Sequence, residues 1–117
     1  WLILQSDKAD DWVISTGLQL SVKDFVIKCF LFFGIEIEFK GFGLNEEGFI
    51  NKCSNPNYQL ELGKAVIGIK EKYYRPTEVD ILVGDSSKVK RELGWKPKYN
   101  IDMLIEDMLT SDMKKFN

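Results

Sequence analysis

An arginine and a glutamate separated by two residues are the most distinctive chemical pair in this sequence. Arg75 and Glu78 lie in the segment 74–83, YRPTEVDILV. The planar guanidinium of an arginine can donate to two phosphate oxygens at once, and a carboxylate can accept from two neighbouring hydroxyls, as on a ribose. Pro76 stiffens the turn between them, which lowers the entropy lost on binding. The pair suits a phosphorylated nucleoside, and it suits equally an ion pair that braces the turn.

Four neighbouring residues are secondary candidates for the same site. Tyr73 and Tyr74 stand beside Arg75, and the spacing does not decide which ring would line a ligand. Asp80 could pair with Arg75, and we favour that structural role over contact with a ligand. Asp85 is better explained as a helix cap, because it directly precedes a predicted helix.

Three other patterns are weaker candidates for binding or catalysis. Gly41 and Gly43 form a lone G-x-G without the third glycine or the following helix of a dinucleotide-binding fingerprint, so a loop is favoured. Glu46 and Glu47 are adjacent and point in different directions, which makes them a poor acid–base pair. Trp95 could stack on a base, but we favour a role in filling the space behind a helix end.

Composition excludes several classes of function. Histidine is absent from the 117 residues, which removes His-based acid–base catalysis and the common His-containing zinc sites. The net charge of −2 and the lack of a basic stripe argue against nucleic acid as a partner. No apolar stretch is long enough to cross a membrane. Two cysteines, Cys29 and Cys53, are too few for a disulfide framework, so we expect both reduced in a cytoplasmic setting.

Three helices are predicted from capping residues followed by apolar residues at helical spacing. The first follows Ser21 and runs to about Phe33, before Gly34. The second covers 87–93, between caps at Asp85 and Ser86 and a closing Gly94. The last follows Asn100, and its apolar stripe comprises Ile101, Leu104, Ile105, Met108, Leu109 and Phe116.

Strands are predicted where β-branched or aromatic residues cluster or alternate with polar ones. They cover residues 12–16, 35–39, 64–69 and 79–83. Residues 41–52, with three glycines, are predicted to form a loop, and 53–63 show no clear pattern. The opening cluster Trp1–Leu4 is typical of the end of a helix, so the chain reads as a fragment that begins within an element.

Ordered motifs along nearly the whole chain resemble one family. They are WLILQ, VISTG, SVKDFV, GIEIEFKGFG, RPTEVD, the GD before the second helix, and LGWKP followed by a closing helix. Together they resemble the GDP-mannose 4,6-dehydratases of the extended short-chain dehydrogenase/reductase superfamily. Related sugar-nucleotide epimerases share the GD…LGW region, and the ordered set is what makes the resemblance specific.

The resemblance implies an α/β fold in which residues 1–117 are the C-terminal nucleotide-sugar-binding domain, truncated on its N-terminal side. An N-terminal Rossmann domain that holds NADP would be absent, and so would the catalytic residues. The family converts GDP-mannose to GDP-4-keto-6-deoxymannose and water. Its RPTEVD-like motif contacts the GDP portion through an Arg and a Glu, which correspond to Arg75 and Glu78.

The resemblance further implies a homo-oligomer as the full-length protein, and the composition adds the expectation of a cytoplasmic location with no nucleic-acid or membrane partner. Two alternatives remain at this stage. The chain could belong to another extended-family epimerase or reductase, which residues outside it would decide. It could instead be a non-enzymatic interaction domain in which Arg75 and Glu78 form a plain structural pair.

Overall fold

The computed structural model describes residues 1–75 and 81–116. Within these ranges it contains three α-helices and one antiparallel three-stranded sheet. The helices are α1 (Val22–Phe32), α2 (Ser87–Leu93) and α3 (Ile101–Phe116). The strands are β1 (Ile35–Lys40), β2 (Glu47–Cys53) and β3 (Ala65–Gly68). Helices and short strands agree with the predicted α/β class in its coarse form.

Helix α1 begins and ends where the sequence predicts. The Ser21 hydroxyl accepts from the Asp24 amide at 3.0 Å and donates to the Asp24 carboxylate at 2.6 Å. This exchange satisfies one of the amides that a helix start leaves without an intrahelical partner. Gly34 follows the helix with φ of 75° and leads directly into β1.

The sheet has the order β1-β2-β3, with both pairs antiparallel. The predicted strand at 35–39 and the predicted strand at 64–69 are confirmed as β1 and β3. The predicted loop at 41–52 is wrong from residue 47 onward, because β2 occupies the middle of the sheet. Gly48 misled the prediction: a Cβ there would lie 3.1–3.2 Å from the side chains of Ile37, Phe39 and Ile67, so the sheet packs closely around this glycine.

One apolar cluster joins the sheet to α1. Ile35, Ile37 and Ile50 are buried in it, and Ile37 is paired with Ile50 across the β1–β2 ladder. Partly buried residues surround these three isoleucines: Phe30, Phe33, Phe39, Cys53, Tyr58 and Ile67. The Cys29 thiol on α1 is partly buried, and burial raises its pKa. The core of the sheet region is therefore small, with an aliphatic centre and mostly aromatic residues around it.

The two C-terminal helices also follow their predicted caps. The Asn100 side chain accepts from the Met103 amide at 2.9 Å, and Gly94 ends α2 with φ of 65°. Ile105 is the buried residue of α3, whereas Phe116 at the end of its apolar stripe is exposed. A Lys28–Asp102 ion pair of 2.7 Å links α1 to α3.

Two predicted strands are corrected by the structure. Residues 12–16 form no strand, although their composition favours one, because they have no neighbouring strand within the described chain. Residues 81–83 are also irregular, and the rest of that predicted strand, 79–80, lies outside the described residues. The opening residues form a 3₁₀ helix at Leu2–Gln5. Among residues 1–75 and 81–116, no helix is both long and apolar enough to span a membrane.

The tight connection between β1 and β2 gives a test of the fold. Gly41 has φ of 94°, and a Cβ there would lie 2.2 Å from the Asn45 carbonyl oxygen. We expect Gly41→Ala to lower the free energy of unfolding by more than about 2 kcal/mol, since the residue would meet both backbone strain and a clash with fixed backbone.

Gly63→Ala is the matched control for this substitution. Gly63 has φ of 79° and open space around the Cβ position, so only the strain of roughly 1–2 kcal/mol applies. Urea unfolding of both variants would measure the difference, and equal losses would show that the 41–45 turn does not constrain the fold.

Candidate functional site

Arg75 lies at the end of a short turn and outside any helix or strand. A 3₁₀ helix at Glu71–Tyr73 precedes it, closed by a hydrogen bond of 3.0 Å from the Tyr74 amide to the Glu71 carbonyl. The Arg75 residue is exposed to solvent. Its position therefore lets a ligand approach from outside.

One cation and two aromatic rings directly precede this arginine in the chain. Tyr73 and Tyr74 are both exposed, and the Lys72 ammonium lies 5.5 Å from the centre of the Tyr73 ring. Exposed rings beside cations can offer stacking surfaces to a planar group and opposite charge to an anion. The local chemistry fits an anionic ligand with a ring, while direct contact by either tyrosine remains a prediction.

Two of the predicted site residues lie outside the described part of the chain. Glu78 and Asp80 fall within residues 76–80, as does the predicted turn at Pro76. The role of Glu78 toward a ribose, and the pairing of Asp80 with Arg75, therefore stay predictions.

Asp85 is a helix cap, as the sequence predicts. Its Oδ1 accepts from the Ser87 amide at 2.9 Å at the start of α2. That backbone hydrogen bond, with a further one from the Ser87 side chain, holds the pKa of the Asp85 carboxyl below its ordinary value. Ser86 is buried, and its carbonyl accepts from the Lys90 amide, but its side chain forms no cap bond. The Asp85 carboxylate therefore serves as a cap at the start of α2.

A contact between distant segments, which sequence reasoning missed, fixes the start of α2. The Ser15 hydroxyl donates to the Gly84 carbonyl at 2.6 Å, across 69 positions of the chain. Lys88 forms an ion pair of 2.7 Å with Asp10, which lowers the pKa of that carboxyl. We call these contacts between residues 10–15 and 84–88 the junction.

Lys88 makes two further contacts within the junction. Its ammonium donates to the Asp11 carbonyl at 3.0 Å and lies 4.8 Å from the centre of the Trp12 ring. No local signal in the sequence indicates these partners, because they are more than 70 positions away in the chain. The one hint in the sequence is the composition of residues 10–12, two acids followed by a Trp, which are side chains that a lysine can contact.

A groove of about 690 Å³ lies beside the C-terminal end of α2 and shares Ser15 with the junction. Its lining is mostly apolar and contains no charged side chain: Ile14, Ser15, Thr16, Leu18, Gln19, Leu20, Trp95, Pro97, Tyr99, Asn100, Ile101 and Leu104. A buried diphosphate needs paired charges or dense hydrogen bonding. The groove is large enough for a ligand, but its lining does not suit an anionic one.

Trp95 lies at this groove and at the end of α2. It is partly buried, and its amide donates to the Val89 carbonyl at 3.4 Å. Its place behind the helix end supports the predicted space-filling role over base stacking.

The remaining candidates from the sequence have structural roles. Glu46 forms an ion pair with Lys23. Glu47 begins β2 and lies opposite Lys40 in the β1–β2 ladder. The two glutamates therefore do not form an acid–base pair. The Gly41–Gly43 stretch leads through a three-residue 3₁₀ helix into β2, which differs from the helix of a dinucleotide fingerprint. Within the described residues, no group of three His, Cys, Asp or Glu could hold a metal ion.

Comparison with known proteins gives a consistent result. A model of the GDP-mannose 4,6 dehydratase family matches residues 1–108. The human GDP-mannose 4,6 dehydratase is 43% identical over 114 residues, which cover 97% of this chain and 28% of the human protein. The enzyme of that name from Dictyostelium discoideum is 40% identical, with coverage of 97% and 30%.

A bacterial protein, the GDP-mannose 4,6-dehydratase of Vibrio cholerae serotype O1, is 34% identical over 98% of this chain and 31% of its own length. The chain therefore spans less than a third of the length of these curated relatives. The family model covers most of the chain, and relatives from bacteria and eukaryotes carry the same family name. The resemblance seen in the motifs is confirmed: the chain belongs to the GDP-mannose 4,6 dehydratase family.

Proposed function

We propose that this chain is the nucleotide-sugar-binding portion of a GDP-mannose 4,6-dehydratase. The observation that carries the proposal is the family match over residues 1–108, which includes the RPTEVD segment. The full-length enzyme would be a lyase that converts GDP-mannose to GDP-4-keto-6-deoxymannose and water. The residues that break bonds would lie outside this chain, which has no histidine and no Tyr-x-x-x-Lys sequence.

The shape of the chain supports a role as part of a longer polypeptide. Its radius of gyration is 19.1 Å, whereas a compact domain of this length has roughly 13 Å. In the described residues the buried apolar side chains are Ile35, Ile37, Ile50, Val89 and Ile105. Large apolar residues such as Phe42 and Leu82 are exposed. So little burial is unusual for a free-standing domain, which disfavours the interaction-domain alternative.

In the proposal, Arg75 pairs with the pyrophosphate of the GDP portion and Glu78 accepts from the ribose hydroxyls. The exposed position of Arg75 after the Glu71–Tyr73 turn, with its neighbouring rings and Lys72, supports the first role. The second role is supported by the correspondence of Glu78 with the family motif.

The cofactor would be NADP, bound by a Rossmann domain of the same polypeptide. Because Gly41–Gly43 leads into a strand, this stretch does not fit the pyrophosphate of a dinucleotide, and we assign the cofactor no residue of this chain. When bound, NADP supplies hydride transfer. The free thiols Cys29 and Cys53 fit the proposed cytoplasmic location, and a homo-oligomeric full-length protein completes the proposal.

The proposed activity predicts a specific product. The full-length polypeptide that carries this chain, supplied with NADP and GDP-mannose, should release a nucleotide sugar lighter by one water, with a keto group at C4. Mass spectrometry and NMR of the product measure both features. A product of unchanged mass, epimerised at a sugar carbon, would instead assign the chain to an epimerase and overturn the proposal.

The role of Arg75 predicts a loss that depends on the diphosphate. Arg75→Ala in the full-length protein should weaken GDP binding by about 10-fold to 100-fold, since a hydrogen bond to a charged group contributes roughly 1.5–3 kcal/mol. Binding of unphosphorylated guanosine should change little. Calorimetry with both ligands measures the contrast.

Arg91→Ala is the matched control, because Arg91 is an exposed arginine that pairs with its neighbour Glu92 at 3.1 Å. It should leave both affinities unchanged. Equal GDP affinity in Arg75→Ala and in the unmodified protein would remove Arg75 from the site.

The role of Glu78 predicts a change in sugar discrimination. The unmodified protein should bind GDP more tightly than 2′-deoxy-GDP, because the carboxylate accepts from the missing hydroxyl. Glu78→Ala should weaken GDP binding and bring the two affinities together, whereas Glu61→Ala should preserve the difference. Competition binding with the two nucleotides is the measurement, and undiminished discrimination in Glu78→Ala would refute the ribose contact.

A further inference from the structure

Strand β3 is the element of the sheet that leads along the chain to Arg75. The strand ends at Gly68, and the structure describes every residue from there to Arg75. Residues 68–75 are all exposed, whereas Ile67 is partly buried. Ile67 is therefore the last side chain before Arg75 that lies partly inside the protein.

Ile67 connects β3 to the core of the sheet. It packs against the cluster of three buried isoleucines on β1 and β2, and the other three residues of β3 are exposed. Gly48 lies opposite Ile67 in the β2–β3 ladder, and a Cβ on Gly48 would lie 3.2 Å from the Ile67 Cβ. Because β3 lies at the edge of the described sheet and spans four residues, this one side chain supplies its contact with the core.

The register of β3 includes one extra residue just before Ile67. Gly48 is opposite Ile67, whereas the next residue of β2, Phe49, is opposite Ala65, so Val66 is the extra residue of a β-bulge. A bulge bends its strand and changes the direction of the side chains next to it. The register shift thus sets Ile67 opposite a glycine, and the two strands approach closely at this pair.

A short hydrogen-bonded connection carries the chain from β3 to Arg75. The Tyr73 amide donates to the Lys70 carbonyl at 2.9 Å, and the Tyr74 amide donates to the Glu71 carbonyl at 3.0 Å. Two successive backbone hydrogen bonds restrict the conformations of such a connection. The position of β3 on the sheet therefore influences the position of Arg75.

We propose that Ile67 is a positioning residue for nucleotide binding, because its packing in the core holds on the sheet the strand that leads to Arg75. The inference rests on the proposed function, in which Arg75 meets the diphosphate. A short edge strand with one side chain in the core belongs to the less stable parts of a fold. If binding requires β3 to be paired, the apparent dissociation constant is the intrinsic one divided by the paired fraction.

The first test truncates Ile67 in the full-length protein. If Ile67→Ala leaves β3 paired in about a tenth to a third of the molecules, the dissociation constant for GDP rises by about threefold to tenfold. Binding of unphosphorylated guanosine should change little, since Arg75 is assigned to the diphosphate. Ile67→Val removes a single carbon and should give an intermediate GDP affinity. Calorimetry with both ligands measures these changes, and equal losses for GDP and guanosine would contradict the inference.

Ile105→Ala is the matched control, because it removes the same atoms from a buried site on α3. It should lower the unfolding temperature at least as much as Ile67→Ala does, since Ile105 is the more deeply buried of the two. The folded protein should keep its GDP affinity, with the calorimetric stoichiometry correcting for any unfolded fraction. Equal losses of affinity in the two variants would show a general loss of stability and overturn the positioning role.

A double variant determines whether Ile67 acts through Arg75. In a protein that already carries Arg75→Ala, Ile67→Ala should cost no further GDP affinity, because the contact that it positions is gone. A threefold to tenfold loss in that background would show that Ile67 acts by another route, and the positioning role would be wrong.

Hydrogen exchange gives a measurement that needs no variant. Because coupling between two equilibria is reciprocal, a ligand that binds when β3 is paired also favours that pairing. Saturating GDP should therefore slow amide exchange in β3 and in residues 70–74 of the unmodified full-length protein. Unchanged exchange in β3 would overturn the inference, and this outcome can be observed even if Ile67→Ala fails to fold.

The outcomes separate this inference from the proposed function. If Arg75→Ala weakens GDP binding while Ile67→Ala does not, the proposed site stands and only the positioning role fails. If Arg75→Ala leaves GDP affinity unchanged, the proposed site fails, and the positioning role fails with it.

Discussion

One long-range contact constrains the C-terminal part of this chain: the Ser15 hydroxyl bound to the Gly84 carbonyl, next to the Lys88–Asp10 ion pair. Residues 81–86, which precede α2, belong to no helix or strand. Gly84 and the first turn of α2 are held instead by contacts with residues 10–15. The close approach at Gly84 leaves no space for a side chain, so the contact depends on the residue type at that position.

The described surface separates two chemical environments. Residues 72–75 combine cations with exposed rings, whereas the groove beside Trp95 is lined by apolar and uncharged residues. A diphosphate carries charge that an apolar surface does not compensate. The residues at 72–75 therefore suit the nucleotide of the proposed function better than the lining of the groove does.

The dimensions of the chain agree with its place in a family of longer proteins. A radius of gyration of 19.1 Å and a small set of buried aliphatic residues describe a chain with much apolar surface left over. The relatives are more than three times as long as the matched region. A longer polypeptide would supply the surface against which such residues pack, and it would also supply the catalytic groups that this chain lacks in the proposed function.

The sequence by itself determined the features whose partners lie close along the chain. The Ser21, Asp85 and Asn100 caps bond to amides two or three residues away. Apolar and acidic residues alternate at 35–39, which indicates a strand with one buried face. This pattern identifies β1 without knowledge of the strands beside it. The order of the motifs, which needs no coordinates, was enough to indicate the family.

The sequence also singled out Arg75, and it predicted Asp85 as a helix cap from its place before α2. The structure confirms that cap through the Ser87 amide, whereas the site roles of Arg75 and Glu78 stay predictions.

The tertiary structure alone decided the features that depend on distant partners. Gly48 indicated a loop, yet β2 forms there because β1 and β3 supply hydrogen bonds and close packing on both sides. Residues 12–16 have strand composition but no neighbouring strand in the part of the chain that the structure describes. Trp12 and Ser15 contribute their side chains to the junction instead. Strand pairing and ion pairing bring together residues tens of positions apart, and no local pattern encodes which of them will meet.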